Sequence, residues 1–92
     1  MNSTDIVHDL IEKISIEILH FIRKHELTSQ DRWVSAAFIK TTLHLNFVAV
    51  PKNNKQYGQK GWFFAIIARL LEDRGLLEYK KTDGKAYYRT IH

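Results

Sequence analysis

The sequence predicts an α+β fold in which three helices precede a C-terminal β-hairpin. Three observations carry this prediction: apolar residues recur at helical spacing in three segments, Gly75 follows the last of them, and Asp83-Gly84 joins two alternating strands. The chain has 92 residues, of which 45% are hydrophobic, which suffices for one core. We therefore predict a single domain that spans residues 1–92.

The first helix is predicted from Ser3 or Thr4, either of which can cap it, to about His25. Its apolar stripe consists of Val7, Leu10, Ile11, Ile14, Ile18, Phe21 and Ile22. Ile6, Ile16 and Leu19 widen this stripe beyond the needs of a surface helix. The helix is therefore either central to the core or shared with a second protomer.

The second helix is predicted to follow a polar break at residues 28–31 and a short strand near Trp33, over residues 32–34. Ser35 is a suitable N-cap, and Phe38, Ile39, Thr42 and Leu43 share one face. The helix is expected to end between His44 and Asn46, with Asn46 in the left-handed conformation.

The third helix is predicted to follow a long connection over residues 47–58 and to begin at Asn54 or at Gly58. Its apolar positions form the rows 62/66/70 and 63/67/71, which we expect to be buried, and Gly75 ends it. The predicted buried cluster comprises Ile14, Ile18, Phe38, Ile66, Ile67, Leu70 and Leu71. The hairpin that follows has a lysine-rich tip over residues 80–85.

Charge is distributed unevenly along the chain. The net charge is +4, with −1 in residues 1–50 and +5 in residues 51–92. Such asymmetry favours a surface that faces a polyanion, although it is also compatible with ordinary solvation. With no cysteine, no basic N-terminal region and no continuous apolar run, we expect no membrane span and an intracellular location: cytoplasm, nucleoid, or nucleus in a eukaryote.

The residues give little support for catalysis. The five histidines are scattered, and no two of them have the spacing of a helical zinc site. A phosphate-binding glycine loop and a nucleophile elbow are both absent from the sequence. We therefore predict that the protein is not an enzyme and that it needs no cofactor or metal.

The segment from Leu70 to Tyr79, followed by Asp83-Gly84-Lys85 and Tyr87-Tyr88-Arg89, resembles the third helix and wing of winged helix-turn-helix proteins. Ser35-Ala36-Ala37-Phe38-Ile39 is similar, more weakly, to their second helix. The resemblance implies a small transcriptional regulator or DNA-associated accessory factor that binds double-stranded DNA. One wing and one helix cover few base pairs, so a homodimer through helix one is a possible arrangement. The groove-facing positions that the resemblance implies are Gln59, Lys60, Phe64, Ala65, Ala68 and Arg69, with Gly61 allowing close approach of the backbone.

The resulting nucleic-acid-binding site is predicted to contain Lys52, Lys55, Gln56, Gln59, Lys60, Arg69, Lys80, Lys81, Lys85 and Arg89. The amide of Gln59 is suited to adenine, and the lysines of the hairpin are suited to phosphate. If about four to six cations neutralise phosphates, log affinity should change with log salt with a slope of roughly −4 to −5. A lysine-rich tip also keeps a sheet edge soluble.

Two alternatives remain open at this stage. The chain would serve as a protein-interaction adaptor if Phe64 and the 47–58 connection contact a partner protein. It would bind RNA or single strands if its aromatic residues stack on bases.

Overall fold

Three helices pack on one face of a three-stranded antiparallel sheet in the computed structural model, which describes residues 2–46 and 61–91. The elements are α1 (Ser3–Glu26), β1 (Val34–Ser35), α2 (Ala36–Thr42), α3 (Trp62–Asp73), β2 (Leu77–Thr82) and β3 (Lys85–Thr90), and the strand order is β1-β3-β2. The predicted α+β class is confirmed. The 47–58 connection and both proposed starts of the third helix lie outside the described residues.

The first helix begins one residue earlier than its predicted caps. Asn2, not Ser3 or Thr4, is the N-cap, and its Oδ1 accepts a hydrogen bond of 2.9 Å from the backbone N–H of Asp5. A carboxamide oxygen in an extended residue is as good an acceptor as a hydroxyl. The helix ends at Glu26, close to the predicted end.

The second helix is capped by Ser35, as predicted, because its Oγ accepts a hydrogen bond of 3.1 Å from the N–H of Phe38. The short strand is Val34–Ser35 and excludes Arg32, whose φ of 64° is incompatible with a strand. The helix ends earlier than expected. His44, rather than Asn46, adopts the left-handed conformation, with φ of 56°.

The end of α3 and the hairpin are confirmed in detail. Gly75 has φ of 73°, its N–H donates to the carbonyl of Glu72, and the N–H of Leu76 donates to the carbonyl of Leu71. This pair of bonds is the Schellman motif. Asp83 and Gly84, both with positive φ, form the two-residue turn between Thr82 and Lys85.

The core lies between the helices and the helix-side face of the sheet. Its buried apolar members are Ile18, Leu19, Ile22, Val34, Ala36, Ile39, Phe64, Ile67, Ala68, Leu71, Leu77 and Tyr88. In α1 the first buried residue is Ser15, so the N-terminal half of this helix contributes nothing to the core.

The buried face of α3 differs from the predicted one. Ile67 and Leu71 are buried as expected, but Ile66 is 59% exposed, whereas Phe64 is 2% exposed and Ala68 is fully buried. Phe64 packs edge-on against Tyr88, with 5.3 Å between ring centroids, and the small Ala68 faces the core. The helix is therefore rotated so that positions 64, 67, 68 and 71 form the buried stripe, and the predicted burial of the 62/66/70 row is wrong.

Two further residues of the predicted cluster are also exposed. Phe38 is half-exposed and lies outside the main core. Its ring stacks on Phe21, with 5.9 Å between centroids, and meets the ring of His25 edge-on at 5.0 Å. Ile14 lies in the half of α1 that precedes the first buried residue, and it is exposed as well.

Candidate nucleic-acid interface

The two faces of the hairpin carry different predicted site residues. Cross-strand pairs Glu78↔Arg89 and Lys80↔Tyr87 lie on the face away from the helices, since Leu77 and Tyr88 occupy the buried face. Lys81 pairs with Ala86 on the helix side. The cations of the hairpin are therefore divided between two surfaces.

Two cations of the open face, Lys80 and Arg89, are engaged within the protein. The guanidinium carbon of Arg89 lies 4.3 Å from the ring centroid of Trp33, and a nitrogen of the same group is 3.1 Å from a carboxylate oxygen of Glu78. The Lys80 ammonium lies 4.6 Å from the Trp33 centroid and 5.6 Å from that of Tyr87. These cation–π contacts join Trp33, the residue before β1, to the outer face of the hairpin.

A cleft of about 440 Å³ lies between α3 and the helix side of the hairpin. Its lining residues are Ala65, Arg69, Glu72, Asp73, Tyr79, Ala86 and Tyr88. Burial, together with the charge of Glu72, raises the pKa of Tyr88 to about 12, and the nearby Arg69 partly opposes this shift. Tyr88 is therefore neutral. Among the residues that line the cleft, Arg69 carries the positive charge.

Four predicted cations form no ion pair with another described residue: Arg69 on α3, Lys80 and Lys81 on β2, and Lys85 at the hairpin turn. Arg69, Lys81 and Lys85 are exposed, whereas Lys80 is half-buried beside Trp33 and Tyr87. An exposed cation that is not ion-paired can approach a phosphate without breaking an existing ion pair, and for Arg69 the carboxylates of Glu72 and Asp73 line the same cleft.

Lys40 reaches the start of α3 and was not predicted as a site residue. A Cβ built on Gly61, the N-cap of α3, would lie 2.8 Å from Cδ and 3.2 Å from Nζ of Lys40. Gly61 is therefore buried against this side chain, contrary to the expected open approach for a ligand backbone. Residues 40 and 61 are joined only by the tertiary fold, so sequence spacing gave no indication of the contact.

The predicted groove-facing residues have three outcomes. Ala65 and Arg69 are exposed as expected, whereas Phe64 and Ala68 are buried, so neither can contact a ligand and Phe64 cannot serve as a protein-docking residue. Trp62 and Ile66 take their places on the exposed face. Lys52, Lys55, Gln56, Gln59 and Lys60 lie outside the described residues.

The geometry defines a small α+β domain with a cleft of mixed charge beside its hairpin, lined by Arg69, Glu72 and Asp73. No protein-family model matches the chain, and neither the curated proteins nor the solved structures contain a match. Within residues 2–46 and 61–91, no helix is long and apolar enough to cross a bilayer. The same residues contain no group of three or more histidine, aspartate and glutamate side chains that could hold a metal.

Proposed function

We propose that the protein binds double-stranded DNA through the exposed face of α3 and the tip of the β2–β3 hairpin, in the manner of a winged helix-turn-helix domain. The order of elements and the single antiparallel sheet support this arrangement. As a small domain, it would act as a transcriptional regulator or DNA-associated accessory factor by occupying a site.

One observation carries the proposal. Arg69, Lys81 and Lys85 are exposed cations that form no ion pair in the described parts of the chain. Arg69 lines the cleft, Lys81 lies on the helix side of β2, and Lys85 lies at the hairpin tip on the opposite face, where it pairs with Thr82. Glu72 and Asp73 line the cleft itself, so the phosphate contacts belong to its rim and to the hairpin tip. Lys40, at the N-terminal end of α3, adds a fourth cation.

The contacts that these residues make would position the protein without reading sequence. Each phosphate neutralised in duplex DNA contributes roughly −0.9 to the slope of log affinity against log salt, so three contacts give roughly −3. Base reading would fall to the N-terminal part of α3 and to Gln59 and Lys60, which precede it.

Fluorescence anisotropy with a labelled duplex at several salt concentrations tests the proposal. Arg69→Ala, Lys81→Ala and Lys85→Ala should each weaken binding to all duplexes and make the slope less steep by about 1. Arg23→Ala removes the same charge from α1, outside the proposed face, and should leave the slope unchanged. Absence of binding at low salt, or equal effects of Arg23→Ala and Lys85→Ala, would refute it.

A second candidate function is a protein-interaction adaptor, which the exposure of Ile66 on α3 favours. Apolar side chains on the outer face of such a helix are suited to a protein partner. In that case Ile66→Lys would abolish partner binding, whereas the three alanine variants of the cations would not affect it.

Single-strand or RNA binding is distinguished in the same titration. The ring of Trp33 is already in contact with Lys80 and Arg89, which leaves less of it for base stacking. We therefore expect an unlabelled single strand to compete less well than unlabelled duplex. Stronger competition by the single strand would favour the alternative.

A further inference from the structure

The N-terminal half of α1 carries an exposed apolar stripe that has no role in the proposed DNA contact. Within residues 3–14 no side chain is buried. The exposed apolar residues of this half are Ile6, Val7, Leu10, Ile11 and Ile14. Half of a long helix therefore presents apolar groups to water without support from its own core, which is unusual for a stable monomer.

The stripe continues into an apolar groove on the same side of α1. The groove has a volume of about 580 Å³, and Leu10, Ile14 and Phe21 of α1 line it together with Leu43 and Leu45, which follow α2. A helical stripe that leads into a groove on the same chain is suited to reciprocal docking, in which each copy supplies a helix and receives one.

We infer that α1 is the interface of a homodimer in which two α1 helices pack antiparallel around a two-fold axis. The stripe from Ile6 to Phe21 is roughly 24 Å long at 1.5 Å per residue. Packed on its copy and on the groove, it would bury on the order of 600 Å² per protomer, near the lower end of specific interfaces, for which roughly 800 Å² per partner is typical.

The charges beside the stripe select a second copy as the occupant. Lys13 and Glu17 line the same groove, one helical turn apart. The ammonium of Lys13 is 2.9 Å from a carboxylate oxygen of Asp9 on its own helix, in an exposed pair that contributes little and can exchange for a contact with a second copy. When two α1 helices cross antiparallel at the level of Ser15, Lys13 of each copy lies beside Glu17 of the other. A parallel pair would instead place like charges together. The charged edge of α1 formed by Lys13 and Glu17 is thus complementary to the same edge of a second copy related by a two-fold axis.

Analytical ultracentrifugation tests the inference on the full chain without nucleic acid, so its outcome is independent of the DNA proposal. We expect a concentration-dependent dimer with a dissociation constant on the order of 10 µM. Ile14→Glu should weaken the dimer at least about 100-fold, because it places two carboxylates at the two-fold axis. A wild-type monomer at about 200 µM, well above that constant, would overturn the inference.

Ile16→Glu is the matched control. Ile16 is 41% exposed and Ile14 is 39% exposed, but Ile16 projects from a different side of α1 and does not line the groove. Circular dichroism should show equal helix content for both variants, since neither residue is buried. Equal weakening by the two variants would overturn the placement of the interface.

A mixing experiment tests the predicted contact between Lys13 and Glu17 directly. Lys13→Glu creates two acidic positions and Glu17→Lys two basic positions, so each variant alone should be monomeric and their equimolar mixture should form a heterodimer by native mass spectrometry. If Lys13 and Glu17 contacted only each other within one helix, mixing the two variants would not produce a heterodimer. If the mixture remains monomeric while wild type dimerises, the antiparallel arrangement is wrong.

Discussion

The buried carboxylate of Glu26 accepts hydrogen bonds from both the backbone N–H and the hydroxyl of Thr90. The hydroxyl oxygen lies 2.7 and 2.9 Å from the two carboxylate oxygens. Glu26 is the last residue of α1 and Thr90 is the last residue of β3. This contact ties the first helix to the final strand and closes the core at one end.

Glu26→Ala should lower the free energy of unfolding by about 3 kcal/mol, because it leaves the N–H and hydroxyl of Thr90 without this acceptor. Urea denaturation followed by circular dichroism measures the change. Asp73→Ala removes an exposed carboxylate from the last residue of α3 and should cost less than about 0.5 kcal/mol. Similar losses for the two variants would contradict the structural role of Glu26.

The rotation of α3 makes a prediction that separates two neighbouring apolar residues. Phe64→Ala should cost about 3 to 5 kcal/mol, because it empties a buried site and removes the edge-on contact with Tyr88. Ile66→Ala should cost less than about 1 kcal/mol, since its side chain is mostly in water. Thermal unfolding of both variants measures these losses of stability. A larger loss for Ile66→Ala than for Phe64→Ala would show that α3 buries the face expected from sequence periodicity.

Local chemistry made some of these features predictable. Gly75 and Asp83-Gly84 act within a few residues, so the end of α3 and the hairpin register follow from the residues alone. The buried face of α3 does not, because this helix is apolar on more than one side and the choice depends on its contact with Tyr88.

In the candidate site, too, features set by neighbouring residues were predictable and features set by tertiary packing were not. Lys81 and Lys85 flank a turn that the sequence identifies, so their place near the hairpin tip was predictable. The contact of Lys80 with Trp33 and that of Lys40 with Gly61 join residues far apart in the chain. Such contacts arise from packing and leave no periodic pattern in a single sequence.

Lys40 and Gly61 should be energetically coupled. Gly61→Ala and Gly75→Ala each place a side chain at positive φ, which costs roughly 1 to 2 kcal/mol, but only at Gly61 would the new Cβ meet Lys40, at 2.8 Å from its Cδ. In a Lys40→Ala background the cost of Gly61→Ala should fall to that of Gly75→Ala. A double-mutant cycle by urea denaturation should give a small coupling, at most about 0.5 kcal/mol, because the flexible end of Lys40 can move aside. A cost of Gly61→Ala that stays well above that of Gly75→Ala in the Lys40→Ala background would contradict the contact.

Tyr88 should make stability fall at high pH. Burial raises its pKa to about 12 in the folded protein, against 10.0 for the ordinary side chain. Between these values the unfolded chain has lost the phenolic proton while the folded protein retains it, so unfolding is favoured as pH rises. The contribution of the neutral Tyr88 side chain to the free energy of unfolding is fully present below pH 10 and is lost as the pH rises through 12. The resulting loss of stability is on the order of 2 to 3 kcal/mol.

Urea denaturation between pH 9 and pH 12 measures this loss, with Tyr88→Phe and Tyr79→Phe as paired variants. Tyr88→Phe has no phenolic proton to lose, so its stability should fall less steeply over this range than that of the wild type. Tyr79 is exposed and its charge is a lesser cause of the raised pKa of Tyr88, so Tyr79→Phe should flatten the pH profile much less than Tyr88→Phe does. If the profile of Tyr88→Phe is equally steep, other groups are responsible for the alkaline loss, and the hydroxyl of Tyr88 is not held in its neutral form by burial.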